Sequence, residues 1–246
     1  LAGVLALAFW LWRFYRLRMK VYKMETSVSQ LKLQALRAQI NPHFVGNSIN
    51  AIQKFFYPPD PEKASDYIHL FTVLLRKTLH LSEQDFIPFA EEVAYDREYL
   101  DMIKLRYGSQ FEYEITGVEG IPPSLPFPAM FLQPILENAT IHGLSQKGVS
   151  VLNLCFFMEN NRLICTVTDS GAGIKASLEH KRANPDGRHS KGTELLKNKA
   201  AMLNRLYGID MDIEWLDRRD IPGDGGTGTQ VRVSFLSKKQ STIQST

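Results

Sequence analysis

The sequence predicts an α+β protein: a helical hairpin of the kind that completes a four-helix bundle with a second copy, followed by an α/β sandwich with a mainly antiparallel sheet. Three observations predict it. Apolar residues recur at spacings of three and four from Leu33 to Arg106. After Gly108 the pattern changes to short alternating runs. Two helical stretches interrupt those runs without following every strand, which places helices on one face of a sheet.

Composition bounds the answer. At 246 residues and a net charge of +3, the chain suffices for one large domain or two small ones. Charges of both signs are mixed through it, and its basic residues do not interleave with aromatics, which argues against a nucleic-acid platform. Two cysteines, Cys155 and Cys165, make neither a metal quartet nor a disulfide framework. They flank a hairpin turn at Asn160-Asn161 and are expected as reduced thiols facing each other across two strands.

Residues 1–12, LAGVLALAFWLW, carry no polar side chain. A spanning helix needs about 20 apolar residues, so this stretch reads as the end of a truncated transmembrane helix whose remainder lies upstream. Trp10, Trp12 and Tyr15 then form an interfacial belt, and Arg13, Arg16, Arg18, Lys20 and Lys23 a positive-inside flank. A basic juxtamembrane helix of coiled-coil character is expected over 13–32.

From 33 to 56, Leu33, Leu36, Ile40, Phe44, Val45, Ile49, Ile52 and Phe56 mark an amphipathic helix, bent near Pro42. Tyr57-Pro58-Pro59-Asp60-Pro61 breaks it. A second helix is expected from Glu62 to Ser82, with Tyr67, Ile68, Phe71, Leu74, Leu75 and Leu79 on its apolar side. The pair forms an antiparallel hairpin that buries too little by itself, so a homodimer is the economical solution. A third helix, Phe89 to Arg106, has Glu91 and Glu92 in its first turn, favourable for its dipole. These helices make up a dimerisation segment over 33–108.

The second domain is expected over 109–238. Strands are expected at Phe111–Ile115, Val151–Phe157, Leu163–Thr168, Met211–Leu216 and Val231–Phe235, and helices at Ala129–His142 and Thr193–Tyr207. A polar tail follows over 239–246.

Four stretches carry chemistry. His43, Asn47, Asn50 and Lys54 fall on one polar stripe of an otherwise apolar helix. A solvated stripe accounts for them, and so does a helix-borne imidazole acting as a nucleophile. In Gln133-Pro134-Ile135-Leu136-Glu137-Asn138-Ala139-Thr140-Ile141-His142-Gly143, the polar Glu137, Asn138 and His142 interrupt an apolar helix that Gly143 would stop. An Asn amide oxygen and a carboxylate are hard ligands suited to Mg²⁺. Thr168-Asp169-Ser170-Gly171-Ala172-Gly173-Ile174 ends an apolar strand. There Asp169 is an acceptor able to read a base's exocyclic amine, and the glycines let backbone approach a ligand. Residues 175–192 read as a lid, and Gly192 opens a helix whose amides would hold phosphate oxygens. Gly225-Gly226-Thr227-Gly228-Thr229 reads equally as a hairpin turn or a ligand contact. No Walker Gly-Lys-Ser/Thr occurs anywhere.

Taken together, Ala38-Gln39-Ile40-Asn41-Pro42-His43-Phe44, Asn47-Ser48-Ile49-Asn50, Glu91-Glu92 through Tyr99-Leu100 to Arg106-Tyr107, and the Asn138 and Asp169 motifs resemble one family. It is the LytS/YehU-type sensor histidine kinases, whose ATP-binding half belongs to the gyrase–Hsp90–histidine kinase–MutL superfamily. The likeness runs from about Leu33 to Phe235. It implies that His43 is the phospho-acceptor, phosphorylated from ATP, and passes the group to an aspartate on a response-regulator receiver domain. It implies Asn138 as the Mg²⁺ residue, Asp169 as the reader of the adenine amine, and His142, Gly171, Gly173, Gly192 and Thr229 as further nucleotide-binding residues. The expected place is the inner or cytoplasmic membrane, this portion facing the cytoplasm.

The chain departs from the family at three points, and from many other histidine kinases at a fourth. Gly46 replaces a usual aromatic, at roughly 1 kcal/mol of helix propensity. Ile141 stands where a Lys is common, Gly192 is single where relatives have two glycines, and Phe44 rather than a carboxylate follows His43. Gly46 and Ile141 motivate the alternative of a degenerate kinase, binding nucleotide weakly or not at all and serving as a dimeric signalling scaffold; the intact Asn138, Asp169 and glycines oppose it.

Overall fold

The computed structural model describes residues 3, 7, 9–16, 18, 19, 46, 48, 50–52, 60–144, 148–176 and 190–236. His43 and Asn47 lie outside the described residues, as do 20–45, most of the lid (177–189) and the tail from 237. The chain divides into two compact units, Leu1–Asn50 and Ala51–Thr246. In the first, residues 9–16 are helical, with Trp10 72% exposed and the Arg16 guanidinium 4.5 Å above the Trp12 ring. No described helix is long and apolar enough to cross a membrane. Gly46 is helical, and a Cβ built there would meet nothing within 4 Å.

The second unit opens with helix α1, Pro61–Leu81, which begins where the proline-rich break predicts. Asp60 is its N-cap, accepting from the Lys63 amide at 3.1 Å, and Pro61 takes a first-turn position that needs no donor. Strand β1, Phe86–Pro88, leads into α2, Phe89–Tyr107. No side chain caps α2. Its first amides instead reach carbonyls of a distant turn, Phe89 to Leu125 at 2.8 Å and Ala90 to Pro123 at 3.0 Å.

Next come β2 (Phe111–Thr116), β3 (Pro126–Pro128), α3 (Gln133–Gly143), β4 (Ser150–Glu159) and β5 (Arg162–Asp169). They are followed by α4 (Ser190–Tyr207), β6 (Asp212–Asp217) and β7 (Thr229–Leu236). Five strands form one sheet in the order β2-β4-β5-β7-β6, antiparallel throughout except for the parallel pair β2–β4. The strand expectations and the mainly antiparallel α+β class hold. The β1–β3 ribbon was not expected, because Pro88, Pro126 and Pro128 argue against strand; two short strands tolerate prolines that a central strand would not.

One face of the sheet is dry. Leu152, Leu154, Phe156, Cys165, Val167, Val231, Val233 and Phe235 are buried at alternating positions, and helices cover them. Phe89 of α2 meets Phe156 edge-on at 4.9 Å, and Phe127 meets Phe235 at 5.4 Å. Helix α2 therefore shares the sheet's core as well as packing on α1. The hairpin turn sits at Asn160-Asn161, both with left-handed backbone. Its register pairs Cys155 with Thr166 and Cys165 with Phe156. Cys155 and Cys165 therefore point to opposite faces and do not face each other, as the sequence suggested; both are free.

Two acids sit in the apolar phase of α2. Glu92 and Asp96 are wholly buried among Phe89, Val93 and Leu100. Glu92 does not serve its own helix dipole. Its Oε2 accepts the Met130 amide at 2.8 Å and its Oε1 those of Phe131 and Leu132 at 3.0 and 3.3 Å. That capture bends residues 129–132, with Met130 left-handed, so α3 starts at Gln133 rather than at the expected Ala129. Burial pushes Glu92 up to about 7 against these donors. It pushes Asp96 well above its usual range, since neither of its oxygens has a partner among the described residues.

Both carboxyls hold protons more tightly folded than unfolded. Their contribution to stability is therefore full below the ordinary carboxylate range; that of Glu92 is lost as pH rises through about 7, and that of Asp96 as pH rises through its own raised pKa. Thermal denaturation should show a lower Tm at about pH 8.5 than at about pH 6. Asp96→Asn, neutral at every pH, should flatten that slope; an unchanged slope would contradict this account of the pair.

Candidate functional site

The candidate site gathers at one end of the sheet, where β5 ends and β7 begins. Asp169 is the last residue of β5 and 6% exposed. Its Oδ1 accepts two backbone amides, from Gly171 at 2.8 Å and from Thr229 at 3.2 Å. One oxygen thus folds its own turn and ties it to the first residue of β7. The other, Oδ2, takes no hydrogen bond among the described residues. Burial raises the Asp169 pKa, with the two amides and the Arg218 charge opposing it. The turn is pinned from β4 as well, Ser170 giving its amide to the Val151 carbonyl at 3.1 Å and accepting the Val151 amide at 2.8 Å.

Glycine at 228 is a steric requirement. With φ at +124°, a Cβ there would collide with the Asp169 carbonyl. Gly173, at φ +84°, lies against Asp217, where a Cβ would stand 2.8 Å from a carboxylate oxygen. Asp217 in turn accepts the Lys175 amide at 2.9 Å, anchoring the helical turn 173–176 at the head of the lid segment. Arg219 neutralises Asp217 through paired contacts of 2.9 Å and holds its carboxyl far below the usual range. Arg218 clamps the β6–β7 loop, bridging Asp224 at 2.7 and 2.8 Å and reaching the carbonyls of Thr227 and Asp169.

Helix α3 supplies the other wall. Its last residue, Gly143, is no left-handed stop; it is glycine because a Cβ would strike the Ser150 hydroxyl. That contact brings the end of α3 to the start of β4, beside the Asp169 turn. Asn138 lies five residues earlier, about 7.5 Å along the axis. It is half-buried, and no described residue hydrogen-bonds its side chain. Ile141 is 40% exposed on the same helix. His142 is helical, its side chain outside the described residues. Gly192 falls inside the first turn of α4, which starts at Ser190 rather than Thr193.

The structure thus brings together Asp169, Gly171, Gly173 and Thr229, with α3 alongside. It adds Arg218, Asp217 and Lys199, which the sequence reading passed over, and gives Glu92, read from sequence as serving its helix dipole, a different role. Lys199 of α4 donates to the Ala129 carbonyl at 2.9 Å, gripping from the other side the loop that Glu92 holds. Glu92 and Asp96 had a legible signal, two acids at core spacing among Phe89, Val93 and Leu100. Arg218 had none, since its partners are six residues or more away in sequence.

A buried, half-satisfied carboxylate beside close-packed glycines suits a flat ligand with an exocyclic N–H. A half-buried amide on the neighbouring helix suits a hard cation or its waters. Gly228→Ala should lower Tm and weaken nucleotide binding together, since the new methyl must displace Asp169. Gly120→Ala, where a Cβ meets nothing within 4 Å, should change neither. Thermal melts with and without ADP check both variants.

Comparison with known proteins finds relatives of this chain. Residues 31–111 match the family model described as histidine kinase. The chain is 28% identical over 159 residues to the sensor protein LytS of Oceanobacillus iheyensis, covering 63% of this chain and 26% of that protein. It is 28% identical over 199 residues to the sensor histidine kinase YpdA of Escherichia coli, covering 77% and 33%. It is 35% identical over 127 residues to the sensor histidine kinase BtsS of the same organism, covering 50% and 22%. The chain spans a third or less of the length of these relatives. The matched segment takes in about a third of the chain, which is similar there and beyond it to LytS-type sensor histidine kinases.

Proposed function

We propose that this chain is the kinase portion of a two-component sensor: it binds ATP between the Asp169 turn and α3, phosphorylates His43, and hands the phosphoryl group to an aspartate of a response-regulator receiver domain. The observation that carries the nucleotide assignment is the Asp169 carboxylate. One oxygen is consumed by the Gly171 and Thr229 amides and the other is left for an adenine amine. Asp169 orients the base, while the lack of a side chain at Gly171 and Gly173 allows close approach. Thr229 sits beside the base with its amide already committed. The first turn of α4, including Gly192, and His142 at the end of α3 are assigned to the phosphate end.

Asn138 is the residue assigned to Mg²⁺, and its unengaged amide fits that duty. The ion would supply charge neutralisation on the transferring phosphoryl group. The transfer itself needs alignment more than covalent help. An imidazole nitrogen of His43 bonds to the γ-phosphorus as the bond to the β–γ bridging oxygen breaks and ADP departs. Activity as a homodimer, attachment to the inner or cytoplasmic membrane through residues 1–12, and a cytoplasmic position for the rest complete the reading. The apolar start with its exposed aromatics and following arginines supports the membrane part.

Incubation with γ-labelled ATP and Mg²⁺ tests the proposal. Acid-labile, base-stable label should appear on the wild type and vanish in His43→Gln and in Asn138→Ala. Normal labelling of Asn138→Ala would overturn the metal assignment. Steady phosphate release without label would indicate a hydrolase, and neither label nor release a scaffold.

A further inference from the structure

A second function is built into the way α3 is held. Three helices are joined by one line of buried polar side chains. Thr78 of α1 lies 2.8 Å from the Tyr95 hydroxyl of α2; Tyr95 hydrogen-bonds Gln133 Oε1 of α3; Gln133 Nε2 donates to Glu137 Oε1 at 3.1 Å. Thr78, Tyr95 and Gln133 are 4%, 2% and 7% exposed, and Glu137 is half-buried beside Asn138. The chain has a direction. A carboxylate only accepts, so Gln133 turns its amide nitrogen to Glu137 and its oxygen to Tyr95. Tyr95 must then donate to Gln133, leaving its own oxygen for the Thr78 proton, which Thr78 shares with the Leu74 carbonyl. A parallel tie joins Tyr99 of α2 to Thr140 of α3 at 3.3 Å.

Apart from the Tyr95 hydroxyl itself, each member already has a hydrogen bond within its own helix. Thr78 already has the Leu74 carbonyl, and Gln133 already has its neighbour on α3. The Tyr95 hydroxyl is the member that links the helices, and it aims the α1–α2 pair at the residue next to Asn138. The adenine side is held independently, by β5, β7 and Arg218.

We propose that the Thr78–Tyr95–Gln133–Glu137 chain is a positioning device that couples α1 to the phosphate end of the nucleotide site, leaving the adenine end untouched. Thr78, Tyr95 and Gln133 are its positioning residues, and the inference rests on the kinase reading above. A shift of α1 along its axis breaks or remakes the Thr78–Tyr95 contact and reorients Glu137, changing the rate of phosphoryl transfer rather than the affinity for nucleotide.

The test uses the whole chain and Tyr95→Phe, which deletes a single oxygen and keeps the ring. Labelling at saturating ATP should fall about tenfold or more while the ADP Kd stays within about twofold. Amide exchange should quicken over 133–143 and not at 165–171. In a Glu137→Gln background, Tyr95→Phe should have no further effect on the rate. Rate and affinity falling in proportion to a loss of Tm would overturn the inference, as would equal losses in both backgrounds or no loss at all. Should Tyr95→Phe fail to fold, Thr78→Val breaks the chain at its outer end and must give the same split. A silent wild type would sink the kinase reading and this inference with it, whereas a labelling wild type matched by Tyr95→Phe sinks the inference alone.

Discussion

A carboxylate withdrawn from water must find donors, and the amides at the start of a buried helix must find acceptors. Glu92 answers both needs at once, taking the three amides of residues 130–132 into one side chain. Each of those donors would cost about 1–3 kcal/mol if left buried and unpaired. The contact decides where α3 begins, hence which residues of that helix face the sheet and which, Asn138 among them, stand at its edge. Lys199 grips the same short loop through the Ala129 carbonyl, so helices on both sides of the loop depend on its shape.

The consequence is a division of labour within the candidate site. The Asp169 side is local architecture: Asp169, the Gly171 and Thr229 amides, and a glycine at 228 that lets two backbones touch. It depends on strand register and on the Arg218 clamp. The α3 side is positioned at a distance, by α2 through Glu92, Tyr95 and Tyr99. Because α2 also packs on α1, one helix touches both α1 and the loop that leads into α3. Close-packed interfaces of this kind hold discrete arrangements rather than deform smoothly.

Much of the fold was legible because periodicity reports burial. The strands appeared as alternation in Val151–Phe157 and Leu163–Thr168, and α1 as spacings ending at a proline-rich cap. The candidate site was legible where chemistry is concentrated in a short word, as in Asp169-Ser170-Gly171-Ala172-Gly173. The β1–β3 ribbon was illegible because its prolines signal the opposite of strand, and only the pairing partner across the chain makes the ribbon worthwhile. The start of α3 was misread because helix propensity at Ala129–Leu132 yields to a carboxylate some 38 residues away.

The sequence by itself determined the order of elements, the dry face of the sheet and the family-like words that mark a nucleotide site. Those depend on neighbours within a turn or a strand, where spacing alone specifies which side chains share a face. Only the tertiary structure decided that Glu92 holds the loop leading into a foreign helix, that Gly143 and Gly228 stand where another segment leaves no room for a Cβ, and that Cys155 and Cys165 lie back to back. Each of these is settled by what approaches from a distant segment, and a one-residue difference in register or a single buried donor is invisible until the segments meet.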